Sequence, residues 1–281
     1  MPELPEVETV RQGLRALILN KTIANIDILW PKIIVNDQLF FKQTLTGQTF
    51  EEIDRRGKYL LFRLSNQLTL VSHLRMEGKY RMVPQEQPLT KHTHVIFNFT
   101  DGTALRYLDV RKFGRMQLIP TGAENTVSGL KQLGPEPTAA DFKVAAFAAA
   151  LQRHRKAIKP VLLEQHVVAG LGNIYVDEVL WQSQIHPLQP ANQLTDTQIK
   201  ALHQAIIAEM KRAIAAKGTT IRSYTDAYGA SGGFQLALAV YGREGEPCQR
   251  CGTTILKTKV GQRGTHFCPH CQLLTTKGVA K

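Results

Sequence analysis

Apolar and polar residues alternate in short segments between residues 22 and 119, the pattern of half-buried β-strands. The segments are TIANIDIL, KYLLFRL, QLTLVSHL, HVIFNF, TALRYLDV and RMQLI. An Asp-Gly pair joins two of them in FNFTDGTALRY, and this pair is typical of a tight hairpin turn. Several antiparallel strands joined in this way predict a sandwich or a flattened barrel.

Helical spacing of apolar residues appears on both sides of this region. Near the N-terminus an apolar stripe begins at Leu4 and ends at Ile18, and Pro2 and Pro5 suit the first turn of a helix. The alternating pattern breaks around LGPEPTAADF, and we place a domain boundary near residue 134. The later segment TDTQIKALHQAIIAEMKRAIAAKG predicts an amphipathic helix that ends before Gly218.

The charge of the chain suggests a polyanionic partner. Its 281 residues include 35 Lys+Arg and 23 Asp+Glu, which gives a net charge of +12. Nucleic acid is the simplest partner of such a chain. No apolar run has the length of a membrane span, and no signal-peptide pattern is visible. We therefore expect a cytoplasmic protein with no membrane partner.

All four cysteines lie near the C-terminus, as Cys248 and Cys251 followed by Cys268 and Cys271. Two C-x-x-C pairs at this separation have the ligand spacing of a zinc site. A redox function would need only one pair, and a reducing compartment disfavours two disulfides. Because four thiolates close the coordination sphere, we expect one structural Zn²⁺ and no organic cofactor.

The residues between the two cysteine pairs read GTTILKTKVGQRGTHF and predict a β-hairpin with its tight turn at GQRG. Arg263 would lie at the tip and Lys257 on the outgoing strand. No acidic residue follows Glu246, so all charged side chains of the hairpin are positive. Such a hairpin suits the binding of phosphate groups. A solvated basic tail is the alternative interpretation.

A second candidate anion site lies in VVAGLGNIYVDEVLWQ. Gly170 and Gly172 allow a tight turn, and Asn173 is placed to cap a helix that begins at Ile174. Free backbone N–H groups at a helix start bind anions, although an ordinary capped turn would have the same sequence. The preceding RHRKAIKP adds basic residues that either extend this site or form a solvated helix face: Arg153, Arg155, Lys156 and Lys159.

Several longer motifs occur in one order along the chain: PELPEVET, RRGKYL, SHLRMEG, DVRKFG, LGPEP, AGLGNIYVDEVL and VYGREGEPC. With these motifs and its cysteine hairpin, the chain resembles the bacterial formamidopyrimidine-DNA glycosylases over nearly its whole length. The resemblance implies an α+β fold of three domains. These are an N-terminal antiparallel β-sandwich over 1–134, a helix–two-turns–helix domain over 135–238 and a zinc-finger hairpin with a tail over 239–281. It also implies a monomer that binds damaged double-stranded DNA between its lobes.

The family chemistry gives the first residues of the chain a role. The resemblance implies that Pro2, exposed by removal of Met1, is the nucleophile of a glycosylase and abasic-site lyase for oxidised purines. A free α-amine has a pKa of about 8, against about 10.4 for lysine, so an appreciable fraction is uncharged at neutral pH. Glu3 would transfer the proton that opens the sugar ring. Glu6 would support the site, and its alternative role is that of a helix-start carboxylate.

The resemblance assigns further residues to DNA. Lys58 would contact phosphate and assist elimination, and Arg263 would bind phosphates beside the lesion. Removing a base from the stack leaves a gap, and the gap would be filled by Met76, Arg111 and Phe113. Residues 219–235 would close over the extruded base. The resemblance also implies DNA-backbone contacts by His73, His92, Asn173, Tyr241 and Lys257. The basic segment RHRKAIKP adds Arg155 and Lys159 to the expected DNA contacts.

Two alternatives stay open at this level. One is a glycosylase of the endonuclease VIII type, which removes oxidised pyrimidines, although DVRKFG argues against it. The other is a DNA-binding relative without catalytic activity. This second alternative is weakened because Pro2, Glu3, Lys58 and Arg263 are all present.

Overall fold

The computed structural model describes residues 1–219 and 233–275. Within them the chain forms two compact units. The first contains Met1–Lys131 and the described residues of Ala216–Gln235, and the second contains Gln132–Ala215 and the described residues of Leu236–Lys281. The division into three domains at residues 134 and 238 stays a prediction.

The first unit is built from two antiparallel sheets and three helices. Its elements are α1 Leu4–Ile18, β1 Ile23–Ile28, α2 Gln38–Leu45, β2 Phe50–Arg56, β3 Tyr59–Leu64, β4 Leu68–His73, β5 Lys79–Pro84, β6 Thr93–Phe99, β7 Thr103–Leu108, β8 Arg115–Pro120 and α3 Ser128–Lys131, with short 3₁₀ helices at Pro31–Ile33 and Glu124–Thr126. The strand orders are β1-β6-β7-β5 and β2-β3-β4-β8. The Asp-Gly pair joins β6 to β7, as its turn chemistry predicts.

Aromatic side chains from the two sheets form one core, which confirms the predicted sandwich. Phe50 of β2 lies 6.4 Å from Phe97 and 6.1 Å from Phe99 of β6 in near edge-to-face geometry, measured between ring centroids. Such aromatic pairs contribute beyond their buried area. Helix α1 adds Val7 and Leu14, which are fully buried in the same cluster. Its N-terminal residues are thereby fixed against the sheets.

Two loops that connect the sheets lie side by side at one edge of the sandwich. Residues 74–78 join β4 to β5, and residues 109–114 join β7 to β8. The register places the strand ends together, since His73 of β4 pairs with Arg115 of β8 and Lys79 of β5 pairs with Leu108 of β7. Both loops end at a glycine against the buried hydroxyl of Tyr107.

The second unit combines helices with one β-hairpin. Its elements are α4 Val144–Leu151, α5 Ile158–Leu163, α6 Asn173–Gln182, a 3₁₀ helix at Ala191–Gln193, α7 Asp196–Ala215, β9 Leu256–Val260 and β10 Arg263–Phe267. A further 3₁₀ helix, Phe234–Ala237, spans the boundary between the units. Helix α6 packs against α5, α7 and β10. The predicted helix after Thr195 is confirmed as α7, and Gly218 beyond it has a positive φ of 72°.

Several elements, among them β2, α2 and β5, were not predicted individually, and one cap was wrong. In β2 only Phe50 and Ile53 are buried apolar residues, and most of the others are charged, so no clear alternation is visible. Helix α2 exposes Leu39 and Phe40, so its apolar residues do not mark one buried face. Strand β5 was also missed. Helix α6 begins at Asn173 with Gly172 as its N-cap and without a side-chain cap, so the expected capping by Asn173 is corrected.

The crowding around Tyr107 gives a stability prediction. A Cβ on Gly114 would lie 1.7 Å from the Tyr107 hydroxyl, whereas a Cβ on Gly233 would meet nothing within 4 Å. We expect Gly114→Ala to lower the free energy of unfolding by about 1–3 kcal/mol, as overpacking of a core does. Gly233→Ala, in the same unit, should change it by less than about 0.5 kcal/mol. Urea unfolding of both variants measures the difference, and equal stabilities would contradict the packing described.

Candidate active site and nucleic-acid interface

The residues from Pro2 onward are buried among charged side chains, whereas Met1 is 48% exposed. Pro2 and Glu3 are buried where α1 begins, and Lys58, in the turn between β2 and β3, is only 6% exposed. Burial lowers the pKa of the Met1 α-ammonium group, and the charge of Lys58 acts in the same direction. The charges of Glu3, Glu6 and Glu77 oppose the shift. The structure thus brings Pro2, Glu3, Glu6 and Lys58 together.

Glu77 belongs to the same group and was not singled out from the sequence. It lies in the loop between β4 and β5, one residue after Met76. Its charge acts on the N-terminal amine. The available signal was its position in SHLRMEG, but a single glutamate in a loop is not distinctive without its fold.

The Glu6 carboxylate accepts hydrogen bonds from two separate segments of the first unit, at Glu3 and at Thr219. Its Oε2 accepts a hydrogen bond of 2.8 Å from the backbone N–H of Glu3, which is the helix-start role. Its Oε1 accepts from the backbone N–H of Thr219 at 2.7 Å and from the Thr219 hydroxyl at 3.1 Å. A Cβ on Gly218 would approach this oxygen to 2.6 Å. The carboxylate therefore fixes the N-terminus and the residue that enters the expected loop, whose residues 220–232 lie outside the described part of the chain.

The loop between β7 and β8 presents two side chains to solvent. Arg111 and Phe113 are exposed, and the guanidinium carbon lies 4.8 Å from the centroid of the aromatic ring. Asp109, which is 1% exposed, orders the loop by accepting the N–H of Arg111 at 3.0 Å and that of Gly114 at 2.8 Å. Lys112 points to a different ring, with its Nζ 3.8 Å from the centroid of Trp30.

The adjacent loop and the end of β4 carry Met76 and His73. Met76 is half-buried in the loop that neighbours Arg111 and Phe113 at the edge of the sandwich. Burial, with the charges of Arg75 and Lys58, lowers the pKa of His73 to about 3. His73 Nδ1 accepts the backbone N–H of Arg75 at 2.9 Å, so the neutral ring carries its proton on Nε2. His92 is half-buried, with a φ of 70°, and its carbonyl accepts from Asp109.

The hairpin of the second unit exposes Arg263 beside a tight turn. Gly261 and Gln262 have φ values of 55° and 61°, and this two-residue loop matches the twist of the strands. Arg263 is the exposed first residue of β10. Lys257 is exposed on β9, where its Nζ lies 2.6 Å from Glu244 Oε2. The sequence showed no acidic residue after Glu246, and it did not reveal that Glu244 reaches this strand.

Lys159 requires a correction. It was expected to contact phosphate directly, but it is fully buried in α5. Its Nζ donates to Asp177 Oδ1 at 2.6 Å and to the carbonyl of Gly264 at 3.0 Å. A buried ammonium group requires a paired carboxylate, and this pair joins α5 and α6 to the hairpin. Arg155, in contrast, is exposed before α5.

Helix α6 holds the hairpin and the segment before it. Asn173, at its start, donates from Nδ2 to the Gly264 carbonyl at 2.9 Å. Glu178, 1% exposed, accepts three backbone N–H groups, from Ala239 at 2.7 Å, Val240 at 2.9 Å and Tyr241 at 2.8 Å. Tyr241 is thereby positioned, half-buried, next to the ring of His266. The role of Glu178 was missed because a glutamate in an amphipathic helix usually faces solvent.

The four cysteines form a cluster with the dimensions of a zinc site. Their sulfur atoms all lie within 4.8 Å of one another, with 4.0 Å between Cys248 and Cys271 and 3.5 Å between Cys251 and Cys268. Tetrahedral coordination at about 2.3 Å separates sulfurs by about 3.8 Å, whereas a disulfide requires about 2.05 Å. The donor set therefore fits Zn²⁺, and the predicted structural zinc site is confirmed.

Three family models match the chain, and their order follows the observed fold. Residues 1–116 match the formamidopyrimidine-DNA glycosylase N-terminal domain, residues 133–225 the H2TH domain of the same proteins, and residues 245–273 a zinc finger found in FPG and IleRS. The chain belongs to the formamidopyrimidine-DNA glycosylase family. The sequence resemblance is therefore confirmed.

Curated relatives of the family match over almost the full length. The formamidopyrimidine-DNA glycosylase of Latilactobacillus sakei is 62% identical over 273 residues, which are 97% of this chain and 98% of that protein. The enzyme of Lactiplantibacillus plantarum is 61% identical over 269 residues, which are 96% and 98% of the two chains.

Solved structures of the family agree with the fold. One is a complex of a Lactococcus lactis FPG mutant with DNA that contains Fapy-dG, with a TM-score of 0.93, 47% identity and coverage of 97% of this chain and 100% of that chain. Another is a complex of the Lactococcus lactis protein with DNA that contains an abasic site, with a TM-score of 0.91, 47% identity and coverage of 96% and 99%. Among the described residues, no helix is both long and apolar enough to cross a membrane.

The buried Lys159–Asp177 pair gives a prediction. We expect Lys159→Met to lower the free energy of unfolding by about 3–5 kcal/mol, because Asp177 is left as an unpaired buried charge. Adding Asp177→Asn should restore most of this loss, because it removes the buried charge. The asparagine oxygen can still accept the backbone N–H of His266, which donates to Asp177 Oδ2 at 2.9 Å in the unsubstituted protein.

The matched control is Lys156→Met, three residues earlier. Lys156 pairs with Glu164, but both side chains are exposed, so the loss should stay below about 1 kcal/mol. Urea unfolding measures all three variants. Similar losses for Lys156→Met and Lys159→Met would contradict a structural role for Lys159.

Proposed function

We propose that the protein is a base-excision repair enzyme that removes oxidised purines from damaged double-stranded DNA and then cleaves the strand at the abasic site. Family membership supports the glycosylase activity, and related structures contain DNA with Fapy-dG or an abasic site. The observation that carries the proposal is the burial of Pro2 and Glu3 at the start of α1, with Lys58 in the same group of charged side chains. The lyase step rests on the chemistry of that amine.

The nucleophile is the secondary amine of Pro2 after removal of Met1. Burial and the charge of Lys58 lower the pKa of the Met1 ammonium group, and Pro2 is itself buried, so the same causes favour a neutral amine on Pro2. The nitrogen lone pair attacks C1′ of the damaged nucleotide, and the base leaves with the electron pair of the glycosidic bond and takes up the proton that the nitrogen loses. Glu3 supplies the proton to the ring oxygen as the sugar opens to an iminium ion.

The iminium ion explains why one residue serves two reactions. Its positive charge acidifies the C2′ protons, so loss of one proton expels the 3′-phosphate. A second elimination then expels the 5′-phosphate and releases the sugar fragment. Lys58 and Arg263 bind the phosphates whose negative charge grows as they leave. Glu6 keeps the amine in place through its bond to Glu3.

Selectivity for the partner base comes from the edge of the sandwich. Met76, Arg111 and Phe113 fill the gap left by the extruded nucleotide, with the guanidinium next to the orphaned base. Cytosine offers two acceptors, O2 and N3, whereas adenine places a donor at N6 opposite a group that only donates. Asp109 positions Arg111 for this contact by holding its backbone N–H.

The remaining expected contacts belong to the DNA backbone. His73 is neutral and keeps a free donor on Nε2, which suits a phosphate oxygen. Asn173, Tyr241 and Lys257 lie on or beside the hairpin that carries Arg263. His92 and Arg155 complete the proposed set. The cytoplasmic location and the monomeric state stay predictions.

Excision of 8-oxoguanine from duplex DNA tests the function. We expect the protein to excise 8-oxoguanine opposite cytosine about tenfold to a hundredfold more efficiently than opposite adenine, which corresponds to about 1–3 kcal/mol. Arg111→Ala should lose most of this ratio together with activity. Gel analysis of strand cleavage measures both quantities.

The control for this experiment lies in the same loop. Lys112→Asn removes one positive charge next to Arg111, but this side chain contacts Trp30, and asparagine tolerates its φ of 58°. The variant should keep the ratio. Absence of excision by the unsubstituted enzyme would refute the proposed function, and a full ratio in Arg111→Ala would refute the role of Arg111.

A further inference from the structure

Trp181 connects the zinc site to helix α6. It is the penultimate residue of α6, and its indole Nε1 lies 3.4 Å from Cys248 Sγ. The indole N–H can only donate, and a thiolate can accept it. Cys248 is 3% exposed, so little water competes for this contact. The ring packs against the small cluster of Val240, Cys248, Ile255 and Cys268.

Arg250 stacks its guanidinium group over the ring of Trp181. It is one of the two residues between Cys248 and Cys251, and its guanidinium carbon lies 4.3 Å from the centroid of the Trp181 ring. Its NH1 donates to the carbonyl of Trp181 at 3.1 Å and its NH2 to that of Gln182 at 3.4 Å. The last carbonyls of a helix lack partners within the helix and favour a cation. The turn between Cys248 and Cys251 is therefore bound to the C-terminal end of α6.

These contacts suit the electrostatics of the metal site. One Zn²⁺ with four thiolates has an excess of negative charge. The indole dipole and the guanidinium both offset this excess at Cys248. The hydrogen bond also restricts the orientation of the Cys248 side chain before the metal binds. Partners outside the ligand shell commonly change metal affinity on the order of tenfold to a hundredfold.

We propose that Trp181 is a positioning residue of the zinc site, which donates a hydrogen bond to the Cys248 thiolate while Arg250 holds the indole in place. Zinc occupancy and the position of α6 are thereby linked. Because Asn173 at the other end of α6 binds the Gly264 carbonyl, the helix contacts the finger at both ends. This inference concerns the metal site and does not depend on the proposed reaction.

The test compares Trp181→Phe with Trp30→Phe, the same substitution at the other of the two tryptophans. Phenylalanine keeps an aromatic ring but removes the donor. Trp181→Phe should lose zinc to an excess of chelator about tenfold faster or more, while Trp30→Phe loses it at the rate of the unsubstituted protein. Unchanged release from Trp181→Phe would overturn the proposal.

Cobalt substitution gives a signature that a packing defect would not produce. The hydrogen bond stabilises the sulfur lone pairs, so its loss should move the thiolate-to-Co²⁺ charge-transfer band of Trp181→Phe to longer wavelength. Trp30→Phe should leave the band in place. A band that does not move in Trp181→Phe would mean that the indole does not act on the thiolate.

Arg250→Gln tests the second part of the arrangement. It keeps the indole donor but removes the cation that holds the indole and offsets charge at Cys248. Zinc loss should therefore accelerate, and the cobalt band should move in the same direction as in Trp181→Phe but by less. This variant also decides the matter if Trp181→Phe does not fold. An unchanged rate of zinc loss in Arg250→Gln would contradict the proposal by itself.

Discussion

The burial of Pro2 and Glu3 at the start of α1 is the constraint on which the proposed chemistry depends. A terminal amine is normally solvated and charged, but here the start of α1 is fixed against the sandwich, and burial lowers the pKa of the Met1 amine, one residue before Pro2. Glu6 maintains this arrangement, since one carboxylate accepts from Glu3 and from Thr219. The apolar face of α1 therefore does more than stabilise the fold, because it determines where the first residues lie.

Buried carboxylates have a comparable role in the second unit. Asp177 pairs with Lys159 and accepts the backbone N–H of His266, and Glu178 accepts three consecutive backbone N–H groups. Both belong to α6, so a single helix orders the hairpin and the segment that leads to it. Charged groups are costly to bury unless they are paired or hydrogen-bonded, and each of these groups has such partners. The hairpin that carries the exposed Arg263 is thus held by hydrogen-bonded groups of α6.

The sequence predicted what depends on local patterns and missed what depends on distant contacts. The sandwich, the Asp-Gly hairpin, α7 and the zinc site follow from alternation, turn chemistry, helical spacing and ligand spacing. Lys159 looked like a surface cation because the sequence does not show that Asp177 faces it. The same holds for Glu77 and Glu178, whose partners come from other parts of the chain. Residue types predicted chemistry, and only the fold decided which side chains were buried.

Covalent trapping tests the central claim most directly. Borohydride reduces an iminium ion to a stable amine, so protein without Met1 should become linked to DNA that contains 8-oxoguanine or an abasic site, and mass spectrometry of the digest should place the link on Pro2. Protein that retains Met1 or has an acetylated N-terminus should still bind this DNA but should form no link. Undiminished trapping of the blocked protein, or a link mapped to Lys58, would contradict the account.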